Sequence, residues 1–341
     1  MAKLVSRLLG TVLFLLTMTF SLLPAEAGLI SRESEIEMGK KTAQQLEAQY
    51  GLYHNQEAQD RVERIGQRLA KVSGRTDIDY SFKVLNCNEV NALACPGGFI
   101  YVYRGLLDYM TTDTELAGVL GHEVGHVAKK HIVHTAEKQL LTSALLLLAT
   151  KGQAMQLMAA AQQALFAGYS RTDERGADKA GVENTIKAGF NPYAVLITVS
   201  KLDDLAKKGG GANYGLFSSH PEPEKRIANV QKQLKKYKIS PQVKVISDDE
   251  ALVEEGKWSL RLDQSIGSNK AKYRAYMLAG GLWQARQRGP LKPNYFLVSD
   301  YGSRAEIYYD DIELLTVYRQ DGAMSPGAYA QQVVARLREL K

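Results

Sequence analysis

Two histidines and a glutamate lie close together in the segment 121–126, which reads GHEVGH. An α-helix turns about 100° per residue, so His122 and His126, four positions apart, face the same side one turn apart. Two imidazoles at this spacing can bind one metal ion, and Glu123 beside them is placed to take a proton from a water that the metal activates. This combination is typical of zinc-dependent peptide hydrolysis. The alternative is a surface helix with two solvated histidines and a glutamate.

The residues around the motif predict that it lies in a largely buried helix. Thr112 and Glu115 have capping-box spacing, so the helix should begin there. An apolar stripe at helical spacing follows, formed by Leu116, Val119, Leu120, Val124 and Val127. Burying two histidines and a carboxylate without a partner is costly, and a bound metal would remove that cost.

Two further histidines follow the motif. At about 100° per residue, His131 and His134 lie roughly 180° and 120° around the helix from His122. They cannot join the same metal site while the helix stays regular. We therefore interpret both, and His54 in a turn, as solvated or hydrogen-bonded polar residues.

A catalytic zinc needs a third protein ligand and an open position for water. The best candidate is Glu174, in a segment where Ser170 or Thr172 should cap a helix that runs to about Lys187. Asp178, four residues further on, shares the face of Glu174. One carboxylate can bind the metal while the other accepts the N–H of a ligand imidazole. The alternative is that both acids pair on the surface with their basic neighbours, Arg171, Arg175 and Lys179.

Four motifs occur in a fixed order along the chain. They are NALACPGGFIYV at 91–102, HEVGH at 122–126, SRTDERGAD at 170–178, and Ser219-His220-Pro221 followed by Arg226-Ile227. Together they resemble the family of zinc metallopeptidases that includes the CAAX prenyl endopeptidase and the heat-shock protease HtpX. The resemblance is to its soluble periplasmic, BepA-like branch, but we find no tetratricopeptide repeat of the kind that BepA-like proteins carry. Cys95 departs from the family pattern, which is usually apolar at that position.

The resemblance implies a role for each matched residue. Three positions match the ligands of a single zinc ion: His122, His126 and Glu174. Glu123 matches the general base, and Asp178 matches the carboxylate that supports a ligand imidazole. His220 matches a histidine that reaches the site, either as a further ligand in a resting state or as a donor to the oxyanion. Residues 91–94 match an edge strand along which an extended peptide can lie.

The apolar pattern predicts an α+β fold in two domains. Residues 28–240 should form a mostly helical domain with a small β-sheet. The family resemblance implies that this is a zincin-type peptidase domain and that the edge of its sheet borders the active site. Its other elements are expected to be helices at 34–51, 55–73, 193–208 and 222–237, and strands at 79–86 and 92–103 with a turn at 96–98. The first of these helices should begin at the capping-box spacing from Ser34 to Glu37. Residues 241–341 should form a small α+β domain of unknown role, with strands at 257–263, 295–298, 305–309 and 313–318 and helices at 270–288 and 326–340.

Two apolar segments bear on where the protein works. Residues 1–27 have the pattern of a cleavable signal peptide for export to the periplasm, with Lys3 and Arg7 before an apolar run and a small-residue cleavage site. The alternative is an uncleaved membrane anchor. Residues 140–166 should form a helical hairpin beside the site, either as part of the core or as a lid or membrane-contacting surface.

The composition and charge pattern indicate which classes of binding partner to expect. The net charge is +6, and acidic and basic residues are interspersed, which does not favour nucleic-acid binding. Peripheral contact with an anionic membrane surface stays open. Cys87 and Cys95 flank a short loop beside the predicted edge strand, and in an exported protein they form either a disulfide or two free thiols.

The resulting hypothesis is a zinc endopeptidase that hydrolyses misfolded or unassembled envelope polypeptides, outer-membrane proteins among them. The resemblance alone suggests that class of substrate. The alternative is a periplasmic chaperone or adaptor that holds extended chains in the same cleft and cleaves rarely. A structural zinc protein is a third reading, which the general base beside the ligands disfavours.

Overall fold

The computed structural model describes residues 29–147, 168–209, 220 and 223–340, which form helices and three small sheets. The elements up to residue 147 are α1 (Arg32–Tyr50), α2 (Gln56–Ala70), β1 (Ser81–Leu85), β2 (Ala92–Ala94), β3 (Phe99–Tyr103), α3 (Arg104–Tyr109), α4 (Asp113–Ala128) and α5 (His131–Leu147). Those that follow are α6 (Arg171–Lys187), α7 (Ala194–Lys208), α8 (Pro223–Leu234), β4 (Gln242–Ser247), β5 (Glu250–Glu255), β6 (Trp258–Leu262), α9 (Ala271–Arg286), β7 (Phe296–Asp300), β8 (Arg304–Tyr309), β9 (Ile312–Tyr318) and α10 (Pro326–Leu337). The predicted α+β class is confirmed.

The first sheet has the order β1-β3-β2, so β2 is an edge strand. Strand β1 runs parallel to β3, whereas β2 runs antiparallel to it, with Ala92 opposite Val102 and Ala94 opposite Ile100. The turn between β2 and β3 needs glycine, because Gly97 has φ 70° and is closely surrounded by backbone atoms of α1. The expected strand, turn and strand at 92–103 are therefore confirmed.

Helix α4 is the centre of the core in the first half of the chain. Its apolar stripe packs in a buried cluster with side chains of α2 and of the first sheet, including Ile65, Phe82 and Ile100. Every residue from Glu115 to Val127 is buried, so the predicted burial of the GHEVGH segment is confirmed. Burial on all sides fixes the helix between α2, α6 and α7.

A buried ion pair joins α1 to the C-terminal end of α4. The Glu35 carboxylate accepts two hydrogen bonds from the Arg75 guanidinium, over 2.9 and 2.6 Å, and a third from the Gly97 amide over 3.0 Å. Arg75 also donates to the Val127 carbonyl over 2.8 Å. The pair therefore holds the β2–β3 turn in place relative to the helix that carries the histidines.

The second half of the described chain has its own core. Sheets β4-β5-β6 and β7-β8-β9 pack on α9 and α10, with Val253, Leu278 and Leu314 among the fully buried side chains. The same buried cluster includes Val182 of α6 and Val199 of α7. Apolar packing is thus continuous across residue 240, and the domain boundary proposed there stays a prediction.

Some details of the sequence interpretation were wrong or incomplete, and others fall outside the described residues. Helix α1 begins after Ser31, whose hydroxyl accepts from the Ser34 amide, and not at Ser34 itself. Strands β4 and β5 were not predicted. The signal peptide at 1–27 and most of the hairpin at 140–166 lie outside the described residues. Cys87 and Cys95 are free thiols, so of the two alternatives the disulfide is absent.

Candidate metal centre

Helix α4 places two imidazoles and a carboxylate at one point. Thr112 and Glu115 form the expected reciprocal capping box, which fixes where the helix begins. One turn apart, His122 and His126 point their Nε2 atoms at each other over 2.9 Å. Glu123 lies between them in sequence and is 1% exposed.

Helix α6 delivers the third predicted ligand because it packs unusually close to α4. A Cβ atom on Gly125 would lie 2.8 Å from the Ala177 carbonyl oxygen, and one on Gly181 would lie 3.2 Å from the backbone of Gly121. Glycine at these positions lets the two backbones approach each other. As predicted, Ser170 caps α6, and Glu174 follows in its first turn.

Four side chains meet where these helices touch. One possible ligand atom from each of His122, His126, Glu174 and His220 lies within 4.8 Å of the other three. The Glu174 carboxylate lies 3.3 Å from His126 Nε2 and 3.6 Å from His122 Nε2. His220 Nδ1 lies 2.8 Å from Glu174 Oε1 and 3.2 Å from His122 Nε2. The structure therefore brings together residues that are 98 positions apart in sequence.

The charge states in this cluster suit a cation. Burial and the neighbouring His122 hold the pKa of His126 well below its usual value, which keeps that imidazole neutral and able to bind a metal. Burial opposes ionisation of Glu174, but His220 and Arg226 hold the pKa of that carboxyl well below its usual value. Glu174 is 1% exposed and lies 2.9 Å from the buried Arg226, which is not the surface position that the alternative required.

The donor set fits zinc. Two neutral imidazoles and a carboxylate are the ligand set of many catalytic zinc sites. Among the described residues, His220 Nε2 and Glu123 Oε2 are buried without a hydrogen-bond partner. A cavity of about 20 Å³ adjoins His122, Glu123 and His220. That is room for about one water molecule, next to the unpaired Glu123 oxygen.

Asp178 contacts the ring nitrogen of His122 that does not point into the cluster of possible ligands. Its Oδ1 atom accepts from His122 Nδ1 over 2.9 Å, which fixes the tautomer and leaves His122 Nε2 with a lone pair facing the site. Arg226 donates to both oxygens of Asp178, over 2.7 and 2.9 Å. Although burial opposes it, this arginine and His122 hold the pKa of Asp178 well below its usual value.

Arg226 is a residue whose role the sequence interpretation missed. Its Nη1 atom also lies 2.9 Å from Glu174 Oε2, so one guanidinium faces two buried carboxylates. Two buried carboxylates on one helix face need more positive charge than neutral imidazoles supply. Once the fold shows that both carboxylates are buried, that requirement points to a buried cation, and Arg226 in the last of the four motifs supplies it.

His131 is a hydrogen-bonded polar residue, as expected, but it lies beside the site because the helix does not stay regular beyond the motif. Helix α4 ends at Ala128, and Lys130 adopts a left-handed conformation with φ 54°, so α5 starts in a new direction. His131 Nδ1 then lies 2.9 Å from His126 Nδ1, and burial lowers the pKa of His131 to about 4. It is a buried, hydrogen-bonded residue that contacts a predicted ligand, whereas His134 and His54 are exposed, as expected.

The aromatic ring of Tyr169 covers the site on another side. It stacks on the His126 ring with centroids 3.5 Å apart, and its hydroxyl lies 3.4 Å from the Ala94 carbonyl oxygen of the edge strand β2. No motif reasoning selected Tyr169, because its position just before the Ser170 cap carries no signal for metal chemistry. Tyr169 thus lies between the edge strand β2 and the four possible metal ligands, which we call the cation cluster. The water-sized cavity adjoins the same cluster.

The model of a protein family, Peptidase family M48, matches residues 56–234, just over half of the chain. The chain belongs to this family. The matched segment runs from the start of α2 to the end of α8 and includes all four residues of the cation cluster. The family resemblance seen in the four sequence motifs is therefore confirmed.

Several named relatives have similar sequences. The Escherichia coli beta-barrel assembly-enhancing protease is 25% identical over 233 residues, which are 64% of this chain and 47% of that protein. The metalloprotease YcaL of Escherichia coli is 33% identical over 185 residues, 50% of this chain and 70% of YcaL. The mitochondrial metalloendopeptidase OMA1 of Arabidopsis thaliana is 37% identical over 150 residues, 43% and 30% of the two chains. The chain thus spans about half the length of the first of these relatives.

Within the described ranges, none of the helices is both long and apolar enough to cross a bilayer.

Proposed function

We propose that this protein is a zinc-dependent endopeptidase. The observation that carries the proposal is the convergence of His122, His126 and Glu174 beside Glu123 and a water-sized cavity. Membership of Peptidase family M48 supports it independently. A zinc ion in the site supplies positive charge that polarises a water and a peptide carbonyl.

Glu123 is the general base in this proposal. Its Oε2 atom is buried without a partner among the described residues and borders the cavity where a water fits. Glu123 takes a proton from the attacking water and then passes it to the leaving amine. Asp178 keeps His122 in the tautomer that the ligand role needs, and Arg226 keeps Asp178 ionised.

His220 is proposed as a fourth ligand in the conformation seen here. Its Nδ1 atom is the one that lies among the other ligand atoms, 3.2 Å from His122 Nε2. Its Nε2 atom lies 3.8 Å from Glu123 Oε1. If His220 turned away when substrate enters, its ring would be free to donate a hydrogen bond to the oxyanion.

The substrate is proposed to be an extended polypeptide paired with the edge strand β2. A peptide backbone can extend a sheet at its edge strand through main-chain hydrogen bonds. We further propose that the protein is exported by residues 1–27 to the periplasm, where it acts on misfolded or unassembled envelope proteins. The name of the Escherichia coli relative, a beta-barrel assembly-enhancing protease, supports that class, because bacterial β-barrels reside in the outer membrane.

One observation favours the second candidate, a chaperone or adaptor that rarely cleaves. His220 occupies the position that a catalytic site keeps open for water or substrate. In this second candidate, His220 keeps the site closed at rest, and extended chains that pair with β2 are held and rarely cut. Cleavage assays on unfolded outer-membrane protein and casein separate the two candidates.

The decisive comparison is between the wild type and Glu123→Gln. We expect the wild type to cleave unfolded outer-membrane protein and a chelator to stop it. Glu123→Gln should keep its zinc and lower the cleavage rate by about 10²–10⁴-fold, the usual contribution of a general base. Glu57→Gln, the same change at an exposed position of α2, is the control and should cleave like the wild type. Full activity of Glu123→Gln would refute the proposed mechanism.

A further inference from the structure

Tyr169 bridges the cation cluster and the edge strand. Its ring is nearly parallel to that of His126, with an interplanar angle of 28° and centroids 3.5 Å apart. The same ring lies 5.3 Å from the ring of His220. At its other end, the hydroxyl donates to the Ala94 carbonyl over 3.4 Å. One side chain therefore extends from a predicted zinc ligand to the backbone on which substrate is proposed to lie.

The hydrogen bonds between β2 and β3 show which backbone groups of β2 are committed to the sheet. The Tyr103 amide donates to the Asn91 carbonyl, and the Cys95 amide donates to the Phe99 carbonyl, over 2.9 and 2.7 Å. In an antiparallel pair, alternate residues face the partner strand. The backbone N–H and C=O groups of odd-numbered residues in this segment therefore point toward β3. Those of even-numbered residues point toward the opposite edge.

Ala92 and Ala94 are the residues that face the opposite edge. The Ala92 amide already has a local partner, because it donates to the Asn91 side-chain oxygen over 2.9 Å. The Ala94 carbonyl is an acceptor that an added peptide strand would use for its own amide. Tyr169 now holds that acceptor, so its hydroxyl and an incoming peptide N–H compete for one oxygen.

The backbone beside Tyr169 allows the ring to move. Gly168 has φ 75°, a conformation that glycine adopts without strain. Ser170 is the N-cap of α6, so Tyr169 lies just before the helix. Rotation about the bonds of Gly168 and Tyr169 can displace the ring without breaking the hydrogen bonds of α6.

We propose that Tyr169 is a gate on the substrate strand: its hydroxyl occupies the Ala94 carbonyl, and a peptide pairs with β2 only after displacing it. The inference rests on the proposed peptide site at β2. It adds a residue that sets how tightly extended chains bind and that couples strand binding to movement of a ring away from His126. Tyr169 acts here on positioning and not on the bond that is cleaved.

Peptide binding to the full chain tests the gate without any cleavage step. The probe is a fluorescein-labelled, proline-free extended decapeptide, and fluorescence anisotropy gives its Kd for zinc-loaded Glu123→Gln with and without Tyr169→Phe. Phenylalanine keeps the ring and removes only the competing hydroxyl. We expect the Kd to fall by about 2- to 10-fold, the net value of one hydrogen bond. The zinc content should not change.

Two further variants complete the test. Tyr109→Phe removes a hydroxyl that donates to the Lys201 carbonyl over 2.9 Å, away from β2, and should leave the Kd unchanged. Tyr169→Leu removes both hydroxyl and ring and should also bind the peptide more tightly than the parent. Equal or weaker binding after Tyr169→Phe overturns the gate, as does a complete lack of peptide binding. Absence of cleavage by the wild type would instead overturn the proposed function and leave these binding measurements intact.

Discussion

Replacing Asp178 with asparagine should weaken zinc binding without touching a ligand. Asp178 Oδ1 accepts from His122 Nδ1 over 2.9 Å and from Arg226 over 2.7 Å. Asparagine has one acceptor oxygen and no charge, so it cannot satisfy both donors and the Arg226 Nε group that now contacts Oδ2. Among the described residues, Arg226 would then keep Glu174 as its anionic partner and would compete with the metal for it.

The magnitude follows from the position of Asp178 behind a ligand. Loss of such a carboxylate typically lowers metal affinity by 10–100-fold, which corresponds to about 1.4–2.7 kcal/mol. Competition against a chromophoric chelator measures the zinc Kd directly. Glu183→Gln removes the same charge from the same helix, away from the cluster, and should leave the Kd within about twofold of the wild type. A folded Asp178→Asn protein with the wild-type zinc Kd would refute the assignment of Asp178.

Two substitutions test the packing that positions the ligands. Lys201 is fully buried and contacts Glu115 over 2.6 Å, so Lys201→Met should destabilise the fold by about 3–5 kcal/mol in urea unfolding, whereas the exposed Lys207→Met should cost less than about 1 kcal/mol. Equal losses would contradict a structural role for the buried pair. Gly125→Val places a side chain where a Cβ lies 2.8 Å from the Ala177 carbonyl oxygen, and it should cost about 1–3 kcal/mol and weaken zinc binding. Wild-type thermal stability and zinc Kd in that variant would show that the close helix approach is dispensable.

The helices that carry the site were predictable because their boundaries are local. Thr112 with Glu115, and Ser170 with Asp173, satisfy the first amide groups of α4 and α6 from within a few residues. Spacing then placed His122 and His126 on one face. The family resemblance, and not geometry, linked Glu174 to them, since the residues alone left a surface ion pair as an equal alternative.

Other features depend on contacts that no local pattern encodes. Ser31 caps α1 although the spacing from Ser34 to Glu37 also fits a capping box. Strand β4 is almost entirely exposed, so it lacks the alternation that marks a half-buried strand. The chain changes direction at Lys130, which returns His131 to the site. Lys130 adopts a left-handed conformation although it is not glycine, so no residue type marks this turn in the sequence.

Arg226 is the clearest example of a site residue that the sequence alone does not identify. The motif that contains it is short, and its guanidinium is useful only because two carboxylates of α6 are buried against it. A chain read residue by residue does not show that those charges share one small volume. Once the fold is known, a comparison of buried negative and positive charges identifies Arg226 as the counter-charge of the two carboxylates.

The most direct test of the metal centre is anomalous X-ray diffraction at the zinc absorption edge on crystals of the zinc-loaded protein. One anomalous peak per chain is expected, about 2.0–2.2 Å from His122 Nε2, His126 Nε2 and a Glu174 oxygen. A peak bound elsewhere, or a zinc ion held by the histidines with the Glu174 carboxylate turned away to Arg226, would contradict the account.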